Sequence, residues 1–136
     1  MVAFLSQDWL DLQRLTAADL ALEMPDAASP AAAAAVIFTT VTGGPSGNVV
    51  YTTTIEHGRL VAAALGEPSG QPDLTFSIGY DDAARHARGE AELSALFMQG
   101  RLKVEGDMRK LFALLAVDHR PEARALAAQV AEQTDF

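Results

Sequence analysis

Few side chains in this sequence belong to the types that commonly carry out catalysis, and their spacing does not form a catalytic motif. The histidines His57, His86 and His119 are far apart and fall at the predicted ends of one strand and two helices. With no cysteine, the chain has no thiolate nucleophile and no cysteine-containing metal site. We therefore interpret the histidines as solvated residues at element ends, and we predict no catalytic residue and no metal site.

Neighbouring carboxylates could act as a general acid and base if burial raised the pKa of one of them. Asp81 and Asp82 stand where a short helix is predicted to begin, a position at which the helix dipole stabilises negative charge. Asp107 precedes an apolar helix and is placed to accept its free amide hydrogens, whereas Glu105 alternates outward with Lys103. Helix capping therefore explains these carboxylates better than acid–base catalysis.

The glycine-rich segment 43–48 is the stretch most similar to a phosphate-binding loop. A Walker-type loop ends in Gly-Lys followed by Ser or Thr, but Val49 and Val50 occupy the corresponding positions. The chain also lacks the glycine pattern of dinucleotide-binding folds and the Gly-x-Ser-x-Gly turn of hydrolases. No cofactor is therefore predicted.

Charge and length limit the classes of partner. Lys and Arg total 10 against 18 Asp and Glu, a formal net charge of −8, which disfavours nucleic acid and anionic membranes. The longest apolar run, 31–38, is far shorter than the ~20 residues of a membrane span, so no stable membrane insertion is predicted. A chain of 136 residues that is 49% hydrophobic is expected to form a single domain over 1–136. The first residues lack the pattern of a secretory signal, and we expect a cytoplasmic protein.

The hydrophobic periodicity of the sequence predicts an α+β fold. Apolar residues at helical spacing predict an amphipathic helix over 7–23, within an N-terminal helical segment 1–33. Alternating and β-branched residues predict four consecutive strands in a meander and, after a helical excursion over 81–98, a fifth strand over 101–106. The meander strands are expected from Ala35 to the loop 43–48, over 49–57, over 59–65 after a turn at Gly58, and over 74–80.

Helices are predicted on either side of the fifth strand. Gly89 and Gly100 are expected to end two short helices, and Gly106 and Asp107 to lead into a longer apolar one. Pro121 is suited to the first turn of a last helix, within the C-terminal segment 118–136. The residues of this helix predicted to face inward are Ala123, Leu126, Ala127 and Val130. Helices on one face of a five-stranded sheet describe an α+β domain.

The remaining feature is a surplus of inward apolar residues. The strand over 60–65 combines small alanines with larger side chains, and small residues opposite an aromatic-rich helical layer could leave a cavity. An ordinary filled core accounts for the same pattern, so the residues alone leave both interpretations open.

One segment resembles a known family. Gly89-Glu90, followed by Phe-Met-Gln-Gly-Arg-Leu-Lys-Val-Glu-Gly-Asp-Met over 97–108, resembles the signature of the sterol carrier protein two family, with Arg101 in place of the usual lysine. The resemblance implies a five-stranded sheet covered by helices that enclose an apolar tunnel for fatty acyl chains, acyl-CoA, sterols or phospholipid. The ligand-binding candidates that follow are inward residues of the matching segment, namely Phe76, Ile78, Phe97, Met98, Leu102, Val104, Met108 and Phe112.

Three functions remain compatible with this sequence. The first, which we favour, is a non-enzymatic lipid-binding or transfer protein. The second is a protein-interaction or dimerisation module of the same fold, forming a homodimer with a cavity filled by its own side chains. The third is a small isomerase of the hollow cone type, which requires a buried Asp or His facing the cavity, and no such residue is predicted on the inward faces.

Overall fold

The computed structural model describes residues 1–19, 34–56 and 59–136. Most of these residues belong to a β-sheet and to the helices packed against it. The strands are β1 (Val2–Ala3), β2 (Ala35–Gly44), β3 (Gly47–Glu56), β4 (Arg59–Leu65), β5 (Leu74–Gly79), β6 (Leu102–Gly106) and β7 (Thr134–Asp135). The helices are α1 (Gln7–Asp19), α2 (Tyr80–Ala87), α3 (Leu93–Met98), α4 (Met108–Asp118) and α5 (Pro121–Glu132). The predicted α+β class with five main strands is confirmed. The predicted end of the first helix at 20–23, the strand end at His57 and the turn at Gly58 lie outside the described residues.

The five-stranded sheet is mixed and has the order β4-β3-β2-β5-β6. Strands β2, β3 and β4 form an antiparallel meander, as predicted, but β5 does not continue it. It pairs with β2 in parallel instead, with Phe76 opposite Thr39. Strand β6 then adds to β5 in antiparallel fashion, with Leu102 opposite Ile78. Strand β2 is therefore the central strand. Strands β3 and β4 extend the sheet on one side of it, and β5 and β6 extend the sheet on the other side.

Asp73 attaches the start of β5 to β2. Its backbone N–H donates to the Val36 carbonyl at 2.8 Å, and its carboxylate accepts from the Val36 N–H at 2.7 Å. The Lys110 ammonium lies 3.1 Å from the other carboxylate oxygen of Asp73. These contacts hold the start of β5 beside β2. Leu74, the next residue, is fully buried, as expected for a central strand.

The predicted turn between β6 and α4 is confirmed. Gly106 has a φ of +123°, and a Cβ at this position would lie 2.1 Å from the carbonyl oxygen of Asp73, so a side chain would collide with backbone. Asp107 then caps α4, since its Oδ1 accepts a hydrogen bond from the Arg109 N–H at 3.0 Å. These two residues fix where β6 ends and α4 begins.

The two ends of the described chain meet in a short parallel pair that the periodicity did not predict. Val2 pairs with Thr134 and Ala3 with Asp135, and the Phe4 N–H donates to the Asp135 carbonyl at 3.0 Å. This pairing brings α1 and α5 into contact on the same side of the sheet. Within the described residues, every helix is too short or too polar to cross a membrane.

A cavity between the sheet and its helices

A cavity of about 290 Å³ lies between the inner face of the sheet and the helices α1 to α5. Its wall is mainly apolar and includes side chains from five strands. The sheet contributes Ile37, Thr39, Tyr51, Thr53, Leu60, Phe76, Ile78 and Leu102. The helices and their connections contribute Phe4, Leu5, Trp9, Gln13, Ala83, His86, Ala87, Leu93, Leu114, Val117, Asp118, Ala123, Arg124, Leu126, Ala127 and Val130.

Strand alternation explains the sheet side of this wall. In β5, Leu74, Phe76 and Ile78 are buried while the residues between them are half-buried, and β2 shows the same period of two. Ile78 is opposite Leu102 in the register, so the two residues share a face and line the cavity together. The inward face of the sheet is thus determined by local alternation together with strand register.

The last helix supplies small residues to the opposite wall. Ala123, Leu126, Ala127 and Val130 all line the cavity, which confirms their predicted inward orientation. The two alanines leave space that larger side chains at these positions would occupy. The alanine content of α5 is therefore one physical reason why the interior is not filled.

Trp9, the one tryptophan of the chain, lies at the α1 side of the cavity and is only 3% exposed. Its indole is edge-on to Phe4, with ring centroids 4.9 Å apart, and to Tyr51, with centroids 6.1 Å apart. Within the described part of the chain, the buried indole Nε1 has no hydrogen-bond partner. A buried donor without a partner is uncommon in folded proteins and costs stability.

A charged cluster lies at another part of the wall. The Nε2 atom of His86 is 2.7 Å from Oδ1 of Asp118, and the second carboxylate oxygen of Asp118 accepts from the Leu93 N–H at 2.8 Å. Burial raises the pKa of the Asp118 carboxyl, but the hydrogen bond and charge of His86, with the Leu93 N–H and Arg124, outweigh it and hold the pKa below its usual range. Arg124 donates to the Gly89 carbonyl. The two basic side chains that line the cavity, His86 and Arg124, are therefore both engaged with protein groups.

This cluster corrects two sequence predictions. His86 is not simply a solvated residue at a helix end, because it lies in the cavity wall beside a carboxylate. The inward faces also do carry an Asp and a His, which the periodicity had not placed there. His119 does remain mostly exposed, at 75%, and pairs with Glu92 at 2.7 Å, while His57 lies outside the described residues. Among the described residues, no group of three or more His, Asp or Glu side chains is placed to hold a metal ion.

The structure brings three of the eight ligand-binding candidates to the cavity, namely Phe76, Ile78 and Leu102. Phe97 and Val104 are partly buried against the core without lining the cavity. The expected inward orientation of the other three is wrong, since Met98 is 82%, Phe112 is 59% and Met108 is 37% exposed. These three side chains point to solvent.

The rotation of α4 explains the error at Met108 and Phe112. This helix carries two overlapping apolar stripes, and the sequence prediction placed Met108, Leu111, Phe112 and Leu115 inward. The structure buries Leu111 fully, as predicted, but it places Leu114 and Val117 in the cavity wall and exposes Met108 and Phe112. A helix with apolar residues on most of its circumference does not reveal its buried face by periodicity alone.

The family profile of the SCP-2 sterol transfer family matches residues 26–117, which is more than half of the chain. The chain belongs to the SCP-2 sterol transfer family. No curated protein sequence gives a significant match. The family assignment confirms the resemblance seen in the segment 97–108.

Solved structures support the SCP-2 fold along the chain. A conserved hypothetical protein from Thermus thermophilus, described as a possible sterol carrier protein, aligns with a TM-score of 0.69 at 18% identity, covering 94% of this chain and 90% of that one. The crystal structure of sterol carrier protein 2 aligns with a TM-score of 0.62 at 18% identity, covering 95% and 98%. Palmitated SCP2L2 from Aedes aegypti aligns with a TM-score of 0.58 at 17% identity, covering 80% and 92%.

The family match covers only part of the cavity wall. The SCP-2 segment 26–117 includes the five-stranded sheet, α2, α3 and most of α4. The residues that α1 and α5 contribute lie outside it, among them Trp9, Gln13 and Arg124. In this member of the SCP-2 family, those two helices add their own side chains to the wall of the cavity.

Proposed function

We propose that this domain is a non-enzymatic cytoplasmic carrier that binds one apolar or amphipathic lipid in the cavity between the sheet and the helices. The observation that carries the proposal is the cavity itself, a space of about 290 Å³ whose wall is mostly aliphatic and aromatic. Such a lining favours ligands that bury methylene groups and offers little to polar metabolites. Membership of the SCP-2 sterol transfer family supports a lipid ligand. The palmitated state of the Aedes aegypti protein with the same fold supports an acyl chain.

The size of the cavity limits the ligand. Its volume is close to the lower end of the range of about 300–1,000 Å³ that is usual for ligand pockets. Each methylene that enters contributes roughly 0.8 kcal/mol, about a fourfold gain in affinity. Affinity should therefore rise steeply with chain length and level off once the cavity is filled. Because immobilising the ligand costs several kcal/mol, we expect net affinities nearer micromolar than picomolar.

The chain carries its own reporter for testing this proposal. Since Trp9 lines the cavity and is the one tryptophan present, its fluorescence reports ligand entry without labelling. Titration with 9,10-dibromostearate should quench Trp9 with saturation at one molecule per chain, because bromine quenches only at short range. Stearate, the matched ligand without bromine, should compete for the site and restore the emission. Quenching that rises linearly without saturation, or that stearate does not reverse, would contradict a lipid site at this cavity.

A second candidate is an interaction module of the same fold. The observation that favours it is the exposure of Met98 and Phe112, two large apolar side chains on the surface of α3 and α4. In that case the protein should be a dimer at micromolar concentration in analytical ultracentrifugation, and Phe112→Ser should shift it to the monomer. A monomer for the unmodified chain excludes this alternative at those concentrations.

The third candidate is an enzyme with its active site in the cavity. His86 and Asp118 are the two side chains of the wall that would serve as its acid–base pair. Asp118 has both carboxylate oxygens occupied, by the His86 ring and by the Leu93 N–H. This arrangement joins the end of α4 to α2 and to the start of α3, which is sufficient to explain the pair. The carrier function therefore remains the better-supported proposal.

A further inference from the structure

The two edges of the five-stranded sheet differ in their charge. Strand β6 forms one edge and exposes the charged residues Lys103 and Glu105, whereas β4 forms the other and has no charged residue from Leu60 to Leu65. On β4, Val61 is 44% and Leu65 is 47% exposed. An edge strand presents unpaired backbone groups to other strands, and charged side chains are a common means of preventing such pairing. The β4 edge lacks this protection by charge.

A side chain of α1 occupies the β4 edge instead. The Nε2 atom of Gln7 donates to the Ala63 carbonyl at 2.9 Å, and the Leu65 N–H donates to the Oε1 atom of Gln7 at 3.0 Å. Nε2 also donates to Oδ1 of Asp11 at 3.0 Å. Because a carbonyl and a carboxylate both require a donor, these contacts fix the orientation of the amide. Gln7 thus offers β4 one donor and one acceptor, as a residue of a neighbouring strand would.

The strand geometry explains why Gln7 meets these two residues. The Gly66 N–H donates to the Val50 carbonyl of β3, so Gly66 and, two positions earlier, Ala64 direct their backbone groups towards β3. Successive residues of an antiparallel strand alternate in the side to which these groups point. Ala63 and Leu65 therefore present their backbone groups to the open edge of the sheet.

A second β4 strand fits the same backbone groups. When two copies pair antiparallel about a two-fold axis at Ala64, Ala63 of each copy is opposite Leu65 of the other, and such a pair exchanges two hydrogen bonds. This pairing uses the Ala63 carbonyl and the Leu65 N–H, the two groups that Gln7 holds. Every residue from Leu60 to Leu65 is apolar, so the paired strands bring no like charges together, although the chain has a net charge of −8.

We infer that the β4 edge is a pairing surface for a second copy of this chain, and that Gln7 closes it by binding the groups that the second strand needs. The unmodified chain is a monomer in which the two hydrogen bonds of Gln7 compete with dimerisation by strand addition. Gln7, Ala63 and Leu65 do not line the cavity, so the inference does not depend on the carrier function.

Removal of the Gln7 side chain tests this competition. In sedimentation-velocity ultracentrifugation, Gln7→Ala should dimerise at a concentration at least about tenfold lower than the unmodified chain, because two hydrogen bonds to the edge are lost. Gln129→Ala, the same substitution at an exposed position of α5, is the matched control and should sediment as the unmodified chain does. A Gln7→Ala variant that dimerises no more readily than the unmodified chain would overturn the inference.

A charge at the two-fold axis identifies the surface. Ala64 is exposed and would lie opposite Ala64 of the second copy, so Ala64→Lys places two like charges against each other. The double variant Gln7→Ala/Ala64→Lys should therefore return to the monomer, whereas Gln7→Ala/Phe112→Ser should remain a dimer. The reverse result would assign the dimer to the exposed apolar residues of α3 and α4, and would overturn the pairing at β4.

Amide hydrogen exchange follows the edge residue by residue. In the unmodified monomer the Leu65 amide should be protected, because it donates to Gln7, while the Ala63 amide faces the open edge and should exchange faster. In the Gln7→Ala dimer both amides should be protected, since each donates across the new pair. A dimer in which the Ala63 amide exchanges as fast as in the monomer would place the contact elsewhere. An unmodified chain that is already a dimer with both amides protected would show that Gln7 does not close the edge.

Discussion

The Nε2 atom of His86 on α2 lies 2.7 Å from the Oδ1 atom of Asp118, the last residue of α4. The other oxygen of Asp118 accepts from the N–H of Leu93, the first residue of α3. One carboxylate thus joins three helices at the wall of the cavity. Since the residues concerned are 32 and 25 positions apart in the chain, the contact depends on the tertiary fold.

Asp118→Asn should destabilise the protein at pH 7 by about 1.5–3 kcal/mol, the usual contribution of hydrogen bonds to a charged group. Because the folded state holds the pKa of Asp118 below its usual range, the stabilisation is complete above about pH 4 and is lost as the pH falls through the lowered pKa. The variant should therefore lose less stability than the parent on acidification from pH 5 to pH 2. Urea denaturation across this range measures both effects, with the exposed Asp81→Asn as control. Equal acid sensitivity of parent and variant would show that the contact is not stabilising.

Ala127→Phe should reduce lipid affinity by at least tenfold, because the ring would occupy space in the cavity that the ligand needs. Ala128→Phe is the matched control, since Ala128 is the next residue of α5, is exposed and does not line the cavity. Displacement of dibromostearate from Trp9 provides the measurement for both. Comparable losses of affinity in the two variants would indicate that the substitutions disturb helix α5, and that filling of the cavity is not the cause.

Leu126→Asp should abolish binding of apolar ligands, because it places a carboxylate in the cavity wall. Phe112→Asp and Met98→Asp should leave affinity within about twofold, because both side chains are directed to solvent. Thermal unfolding of each variant verifies that it is folded before titration. A large loss of affinity in Phe112→Asp would contradict this expectation and indicate that Phe112 does contribute to ligand binding.

Gly106→Ala should be much more destabilising than Gly100→Ala. Both glycines have positive φ, +123° and +74°, so a side chain at either site is strained by about 1–2 kcal/mol. Only at Gly106 would the new Cβ also collide with backbone, at the Asp73 carbonyl; nothing lies within 4 Å of a Cβ at Gly100. Urea denaturation of the two variants compares them directly. Similar losses of stability in the two variants would mean that the backbone at Asp73 moves away from the new Cβ without a cost in free energy.

The elements of this fold could be predicted from the sequence because each depends on residues that are close together in the chain. Alternation identified β2 and β5, apolar spacing identified α1 and α5, and Asp107 and Gly106 marked the start of α4. The same local signals correctly oriented Ala123, Leu126, Ala127 and Val130 towards the interior. Strand alternation and helix capping act over a few residues, so no knowledge of the rest of the molecule is needed.

The tertiary structure alone decided which of these elements are neighbours and which of their faces are buried. Strand β5 lies beside β2, with Asp73 bound to Val36 across 37 positions, where the sequence had suggested a continued meander. The rotation of α4 exposes Phe112 and buries Val117, because the apolar residues on this helix allow either face to pack. Likewise, His86 meets Asp118, and Trp9 meets Tyr51, only when separate elements pack on the sheet. Such contacts carry no signal in local spacing, since their free energy arises between residues far apart in the chain.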